Sequence, residues 1–324
     1  MDDVRYQELI ERAQYYGNQS NWDKCIEYYQ KAFEIMVRVD DLLDLSIVYL
    51  QIDNSFLALK GIDSVIEILP DDFRGYFYKG IYYEHIEDDL EALKYYLKSL
   101  ELEKNVPEIY FKIGRIYDDL SDNENKLENI ELAKEYYYKT LELDDNHYYA
   151  NLNLGSMYER DNNLEEALKF TLKSYSVNKD EKMASYNLGV IYSKLNDFEK
   201  AKECYLEEIT KKDFYPYAYY NLGIIYKDED KDYLKAKEYY LKGLNYLKKD
   251  PSLWYNLGCV HVLTNDYSNA YDCFYCAISI NEKILNYIEL DQEIKDFLKT
   301  EYYEKLRNVF KKRCSKFIKC DIIN

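Results

Sequence analysis

The chain has 324 residues, 43 Lys and Arg against 61 Asp and Glu, and a formal net charge of −18, so as a whole it is not built to bind nucleic acid. Ten Gly and four Pro are too few for a loop-rich β protein or a disordered chain, while a hydrophobic share of 47% leaves enough material for a packed interior. The numbers point to helices, with 40 Tyr as the unusual ingredient.

The amino-terminal MDDVRYQELIERAQ is acidic from its second residue, without the basic and apolar regions of a secretory signal. No run approaches the roughly eighteen consecutive apolar residues of a membrane span. The seven cysteines, at 25, 204, 259, 273, 276, 314 and 320, form no regular framework, which suits free thiols in a reducing compartment. The expected location is the cytoplasm.

The predicted elements are helices in pairs, and a repeat sets their order. Small residues at Ala13, Ser46, Gly80, Gly114, Gly155, Gly189, Gly223 and Gly258 are separated by 33, 34, 34, 41, 34, 34 and 35 residues. A second series, Cys25, Ala58, Ala92, Ala133, Ala167, Ala201, Ala236 and Ala270, keeps step with it. Three residues after each member of the first series stands Tyr16, Tyr49, Tyr83, Tyr117, Tyr158, Tyr192 or Tyr226, with His261 in the eighth place. Four residues after each member of the second stands Tyr29, Ile62, Tyr96, Tyr137, Thr171, Tyr205, Tyr240 or Phe274.

This pattern resembles the tetratricopeptide repeat (TPR) family, whose consensus is W-x2-L-G-x2-Y followed by A-x3-F and a further small residue. Trp254, Leu257, Gly258, Ala270, Phe274 and Ala277 match it well. The resemblance implies an all-α fold, a right-handed α-solenoid superhelix of TPR helical hairpins. Eight units start near 6, 39, 73, 107, 148, 182, 216 and 251, giving an array over 1–284 and capping helices over 285–324. The pattern has a physical basis apart from the family. The fourth, seventh, eighth and eleventh positions of each unit fall on one helical stripe, and the small residue at its centre admits the second helix, with the later ring filling the space beside it. Arg12 and Glu208 depart from the consensus, so the first and sixth units are expected to pack less tightly.

Two irregularities stand out along the chain. The 41-residue step places seven extra residues between Tyr117 and Ala133, and the spacing of Leu127, Ile130 and Ala133 predicts a second helix lengthened at its start by about two turns, roughly 10 Å. This is either a tolerated insertion or a contact for a partner. After 284 the register is lost, and Leu306, Val309, Phe310, Cys314, Phe317 and Ile318 share one face of a helix that would cap the array. Segment 305–320 also carries seven basic residues and no acidic one. It could touch an acidic partner, RNA or an anionic membrane, or dock internally on the acidic array.

Catalytic and metal chemistry find little support. The three histidines, His85, His147 and His261, stand beside no nucleophile motif, and no phosphate-binding glycine loop occurs. Cys273 and Cys276 form C-x2-C inside a helix rather than on a zinc turn. Asp228, Asp230 and Asp232 begin like a calcium loop, but Tyr233 and Tyr239 stand where Gly and Glu are required. No cofactor, metal or enzymatic activity is expected.

The remaining signal lies opposite the core stripe, at positions two, six, nine and thirteen, which the resemblance places on the concave surface. Position six is Asn153, Asn187, Asn221 and Asn256 in the last four units. Each carboxamide offers an acceptor and two donors, so the column can pair with the peptide groups of an extended chain, similar to asparagine ladders in some family members. Tyr186, Tyr220 and Tyr255 at position five and Tyr149 and Tyr217 at position two flank it with rings. The same asparagines could instead serve helix-to-helix contacts. If they hold a peptide, Asn187→Ala and Asn221→Ala weaken binding and leave melting nearly unchanged. The family's clamp for chaperone carboxylates uses Lys at position five, where this chain has Ile10, Leu43, Phe77, Phe111, Leu152, Tyr186, Tyr220 and Tyr255, so a chaperone adaptor is disfavoured. The expectation is a scaffold or adaptor whose partner is a protein or peptide segment. The alternative is a self-associating array acting through its edges and its basic C-terminal helix.

Overall fold

The computed structural model describes residues 2–121 and 126–320, with 311–320 described by their backbone. Among these the regular structure is helical throughout, eighteen α-helices and one short 3-10 turn. The chain forms two compact units, Met1–Ala150 and Asn151–Asn324, and the helices after 284 belong to the second unit.

The first unit contains α1 (Asp2–Asn18), α2 (Trp22–Phe33), α3 (Val39–Gln51), α4 (Ser55–Ile68), α5 (Phe73–His85), α6 (Asp89–Leu102), α7 (Pro107–Leu120) and α8 (Lys126–Leu143). The second contains α9 (Tyr148–Arg160), which begins just before the boundary, α10 (Leu164–Val177), α11 (Ala184–Lys194), α12 (Phe198–Glu208), α13 (Tyr217–Asp228), α14 (Tyr233–Leu244), α15 (Pro251–Leu263) and α16 (Tyr267–Ile280). Then come α17 (Ile284–Leu290), the 3-10 turn Phe297–Lys299 and α18 (Glu301–Cys320). The pairs α1/α2, α3/α4, α5/α6, α7/α8, α11/α12, α13/α14 and α15/α16 each pack closely together, as the repeat register requires.

The turn inside each pair shows why glycine is scarce. Ser20, Asp53, Glu87, Asn162, Asn196, Lys231 and Asn265 adopt φ of 54–62°, and no glycine has a positive φ. Each is followed by an Asn or Asp, for example Asp88 or Asp232, whose side chain caps the next helix by accepting a backbone N–H three residues on, at 3.2 and 3.1 Å. Left-handed backbone is thus carried by polar residues, and glycine is kept for packing. A Cβ on Gly80, Gly189, Gly223 or Gly258 would stand 2.3–2.5 Å from the buried ring of Tyr96, Tyr205, Tyr240 or Phe274 in the paired helix. The ring opposite the glycine therefore comes from the second helix, four residues after the second small residue, and not from the ring three residues later.

That later ring has another partner. Tyr16, Tyr83, Tyr117, Tyr158 and Tyr226 stack on Tyr28, Tyr95, Tyr136, Phe170 and Tyr239 with centroids 5.2–5.8 Å apart and planes within 18°. Lysines lie over these pairs, such as Lys24 over Tyr16 at 4.8 Å and Lys235 over Tyr226 at 5.0 Å, adding cation–π attraction. Where the stacking partner is Cys273, the ring gives way to His261, which is buried and bonds Asp266, the cap of α16, at 2.9 Å.

One expectation is met as far as the described residues reach, and one needs correction. Second helices usually start three residues before their small residue, whereas the described part of α8 starts seven before Ala133. That is about one extra turn, roughly 6 Å; residues 122–125, on which the second expected turn falls, lie outside the described residues. Glu208 does not loosen the sixth unit. It is fully buried, Oε1 accepts the backbone N–H of Met183 at 3.2 Å and of Tyr215 at 2.9 Å, and Oε2 pairs with Lys211 at 2.9 Å. In α18, Leu306 and Phe310 are buried in one cluster with Phe274, Ile278, Ile288 and Phe297. The expected basic face falls mainly on side chains 311–320, outside the described residues.

Candidate functional site

The asparagine column sits on α9, α11, α13 and α15. Asn187, Asn221 and Asn256 are half-buried, and their amide nitrogens are already committed. Asn187 donates to the Ser156 hydroxyl at 2.9 Å. Asn221 donates to the hydroxyls of Tyr186 at 3.3 Å and Tyr205 at 3.1 Å. Asn256 donates to the Tyr220 hydroxyl at 3.3 Å and to its own helix, at the Ser252 carbonyl, at 3.0 Å. The column therefore stitches each repeat to the one before it, which is the helix-to-helix role. What it leaves open is the acceptor half: the Oδ1 atoms of these three residues take no hydrogen bond among the described residues. Asn153 is likewise half-buried and has interactions of its own.

The tyrosines are anchored by their hydroxyls, leaving the rings as the contact surface. Tyr217 donates to Asp250 at 2.8 Å, which is the main reason its phenol is pushed up to about 12, and Tyr255 donates to Asp291. Burial raises Tyr186 to about 12, so these phenols stay protonated at neutral pH. Tyr149 is 47% exposed but belongs to the first unit, where it lies beside Phe111 and Tyr148; the other eight residues of the predicted site share the second unit.

Two features were missed in the sequence. Tyr215 lies between Tyr186 and Tyr217, with centroids at 4.7 and 5.3 Å, joining the position-two and position-five rings into one aromatic run. It stands outside the helical register, and its backbone is held by buried Glu208, the residue that looked like a defect. The second is a pair of cavities along the column. One, of about 240 Å³, includes Val190, Lys194, Tyr205, Asn221, Ile224 and Asp228 in its lining. The other, of about 600 Å³, includes Asn256, Tyr220, Tyr255 and residues of α17.

Lys227 anchors the C-terminal end of this face. It is buried, its ammonium pairs with Asp228 and Glu293, both at 2.9 Å, and these hydrogen bonds outweigh burial and raise its pKa. The contact ties α13 to the segment after α17. Among the described residues no group of three or more His, Cys, Asp or Glu could hold a metal ion, and no helix is long and apolar enough to cross a membrane.

Comparison with known proteins decides the family. The sequence model of the tetratricopeptide repeat matches residues 184–207, 216–246 and 251–284, the register of the last three units. Residues 184–284 are TPR repeats. The helix pairs of the chain resemble solved structures at the level of fold. One is the anaphase-promoting complex hetero-tetramer Cut9–Hcn1, at a TM-score of 0.61 and 17% identity over 90% of this chain. A second is PilF of Pseudomonas aeruginosa, at 0.56 and 16% over 70% of this chain and 96% of that one. A third is a tetratricopeptide repeat protein of Parabacteroides merdae, at 0.55 and 16% over 81% and 97%. The chain spans 55% of the Cut9–Hcn1 structure's matched chain. No curated protein matches the TPR sequence significantly.

Proposed function

We propose that this TPR protein is a non-enzymatic scaffold that holds an extended segment of a partner protein along the Asn187–Asn221–Asn256 face of its second unit. TPR arrays serve in general as protein-interaction scaffolds, and the fold likeness to Cut9, a subunit seen in a hetero-tetramer, is in keeping with that role. One observation carries the finer reading: successive carboxamide oxygens without intramolecular partners, flanked by tyrosine rings whose hydroxyls are pinned. The amide nitrogens serve the fold and the acceptors are left open, so the column accepts backbone N–H groups and reads main chain irrespective of sequence. The rings then grip side chains at low entropic cost because their orientation is already fixed.

The test is peptide selection on the full chain from a displayed random library, followed by titration of the selected peptides against Asn187→Ala/Asn256→Ala. The reading predicts a loss of about tenfold or more, since two hydrogen bonds of about 1 kcal/mol each disappear. Unchanged affinity sinks it.

A further inference from the structure

The larger cavity has a chemistry of its own. Helix α17 starts 33 residues after Pro251, where a ninth unit would begin, but ends after seven residues at Leu290. The chain then turns at Asp291, whose carboxylate accepts the Tyr255 hydroxyl and, at 2.8 Å, the Glu293 backbone N–H. This truncation leaves a space of about 600 Å³ walled by Tyr220, Tyr255 and Tyr287, with Asn256 and Asp291 among its polar lining. Tyr287 is 62% exposed and Leu290 75% exposed, so the outer wall of this space is open to a ligand.

The polar groups converge in one sense. The Asn256 amide is used, leaving its Oδ1 open; the Tyr255 hydroxyl is used; and each carboxylate oxygen of Asp291 keeps a second lone pair for a further donor. Asp291 is the only charged residue of the lining, and the nearby Lys227 ammonium is itself paired with Asp228 and Glu293. Three tyrosines, a carboxylate and a carboxamide oxygen describe a receptor for a cation that is planar, rich in donors and weakly hydrated.

We propose that this pocket takes the guanidinium of an arginine carried by the bound segment. A guanidinium stacks on tyrosine faces and pairs with a carboxylate through two N–H groups, whereas an ammonium is compact and strongly hydrated. The inference rests on the reading that the second unit holds an extended segment, and it names the anchor side chain of that segment.

The experiment uses peptides selected on the full chain from the random library, resynthesised with arginine, with its neutral isostere citrulline, and with lysine. The expected result is one arginine common to the selected peptides, a loss of about tenfold or more on replacement by citrulline, and a smaller loss with lysine. Asp291→Asn removes the charge while its one oxygen still accepts the Glu293 N–H and its amide donates to the Tyr255 hydroxyl, which can turn to accept; with an unchanged circular dichroism spectrum as the check on folding, it should bring the arginine and citrulline peptides to within about twofold of each other. Tyr287→Ala, at an exposed site, should weaken the arginine peptide alone. Peptides that depend on Asn187 and Asn256 yet bind equally with arginine or citrulline overturn the pocket and leave the groove standing. Absence of any peptide dependent on those asparagines overturns both.

Discussion

Gly223→Ala tests the packing logic of the repeat. An added Cβ would lie 2.3, 2.6 and 2.8 Å from Cε1, Cδ1 and Cζ of Tyr240, against the 3.4 Å or more of ordinary contact. Tyr240 is fully buried, with Tyr220 at 6.2 Å on one side, so the ring has to shift by about an ångström in a close-packed interior. Overpacking of this kind costs about 1–3 kcal/mol. Alanine returns about 1 kcal/mol of helix propensity, so a net loss of about 1–2 kcal/mol is expected. Gly243→Ala is the control, because its nearest contacts, a Leu253 methyl and the Tyr219 Cβ, are both at 3.3 Å and need a shift of only about a tenth of an ångström; there the propensity gain should offset the crowding and stability should be nearly unchanged. Urea titration of the full chain followed by far-ultraviolet circular dichroism measures both. Equal midpoints for the two variants would refute the argument. Combining Gly223→Ala with Tyr240→Ile should cost less than the sum of the two single changes, because the fourth-position ring is then gone, as it is at Ile62.

Further outcomes follow from the same structure. Lys231→Gly, at φ of 54°, should raise stability by about 0.5–1 kcal/mol in the same titration, since a left-handed non-glycine residue costs about 1–2 kcal/mol and part of the relief is lost to chain entropy. Asn221→Ala should lower stability by about 1 kcal/mol, because it removes the closer of the two partners of the buried Tyr205 hydroxyl and leaves it Ser193 at 3.4 Å; this revises the expectation of unchanged melting, and an unaltered midpoint would remove the column's structural role. His261 has its pKa lowered, first by burial and then by Lys237, against an opposing bond from Asp266. The unfolded chain therefore takes up this proton more readily than the folded one, and stability is complete above about pH 6.5 and declines as pH falls from there. His261→Phe should flatten the fall in melting temperature between about pH 7.5 and 5.5, and an unchanged slope would contradict the assignment.

The repeat was legible because its glycines and alanines meet large rings at a fixed offset, and steric exclusion writes such a pair into sequence at every unit. The partner of each ring was less so: Tyr16 and Tyr28 lie twelve residues apart on two helices, and only the turn at Ser20 and Asn21 fixes how they meet. The column Asn187, Asn221 and Asn256 announced itself by spacing, but a carboxamide has donors and acceptors on one group, and the sequence does not say which half the fold consumes. Glu208 and Tyr215 were hidden for a related reason. A buried carboxylate reads as a violation until its two backbone donors and Lys211 are seen around it. The cavity beside α17 had no sequence signal, because it arises from a helix that starts in register and stops early.

The central claim is that the column reads a partner's main chain through its carboxamide oxygens. Methylating successive backbone nitrogens of a selected peptide, one at a time, and measuring affinity for the full chain tests this directly, since each methyl removes one N–H donor and leaves the side chains in place. The account predicts sharp losses, about tenfold each, at nitrogens spaced along the segment, with the same methylations nearly silent in Asn187→Ala/Asn256→Ala. Uniform tolerance of methylation by the unaltered protein would contradict it.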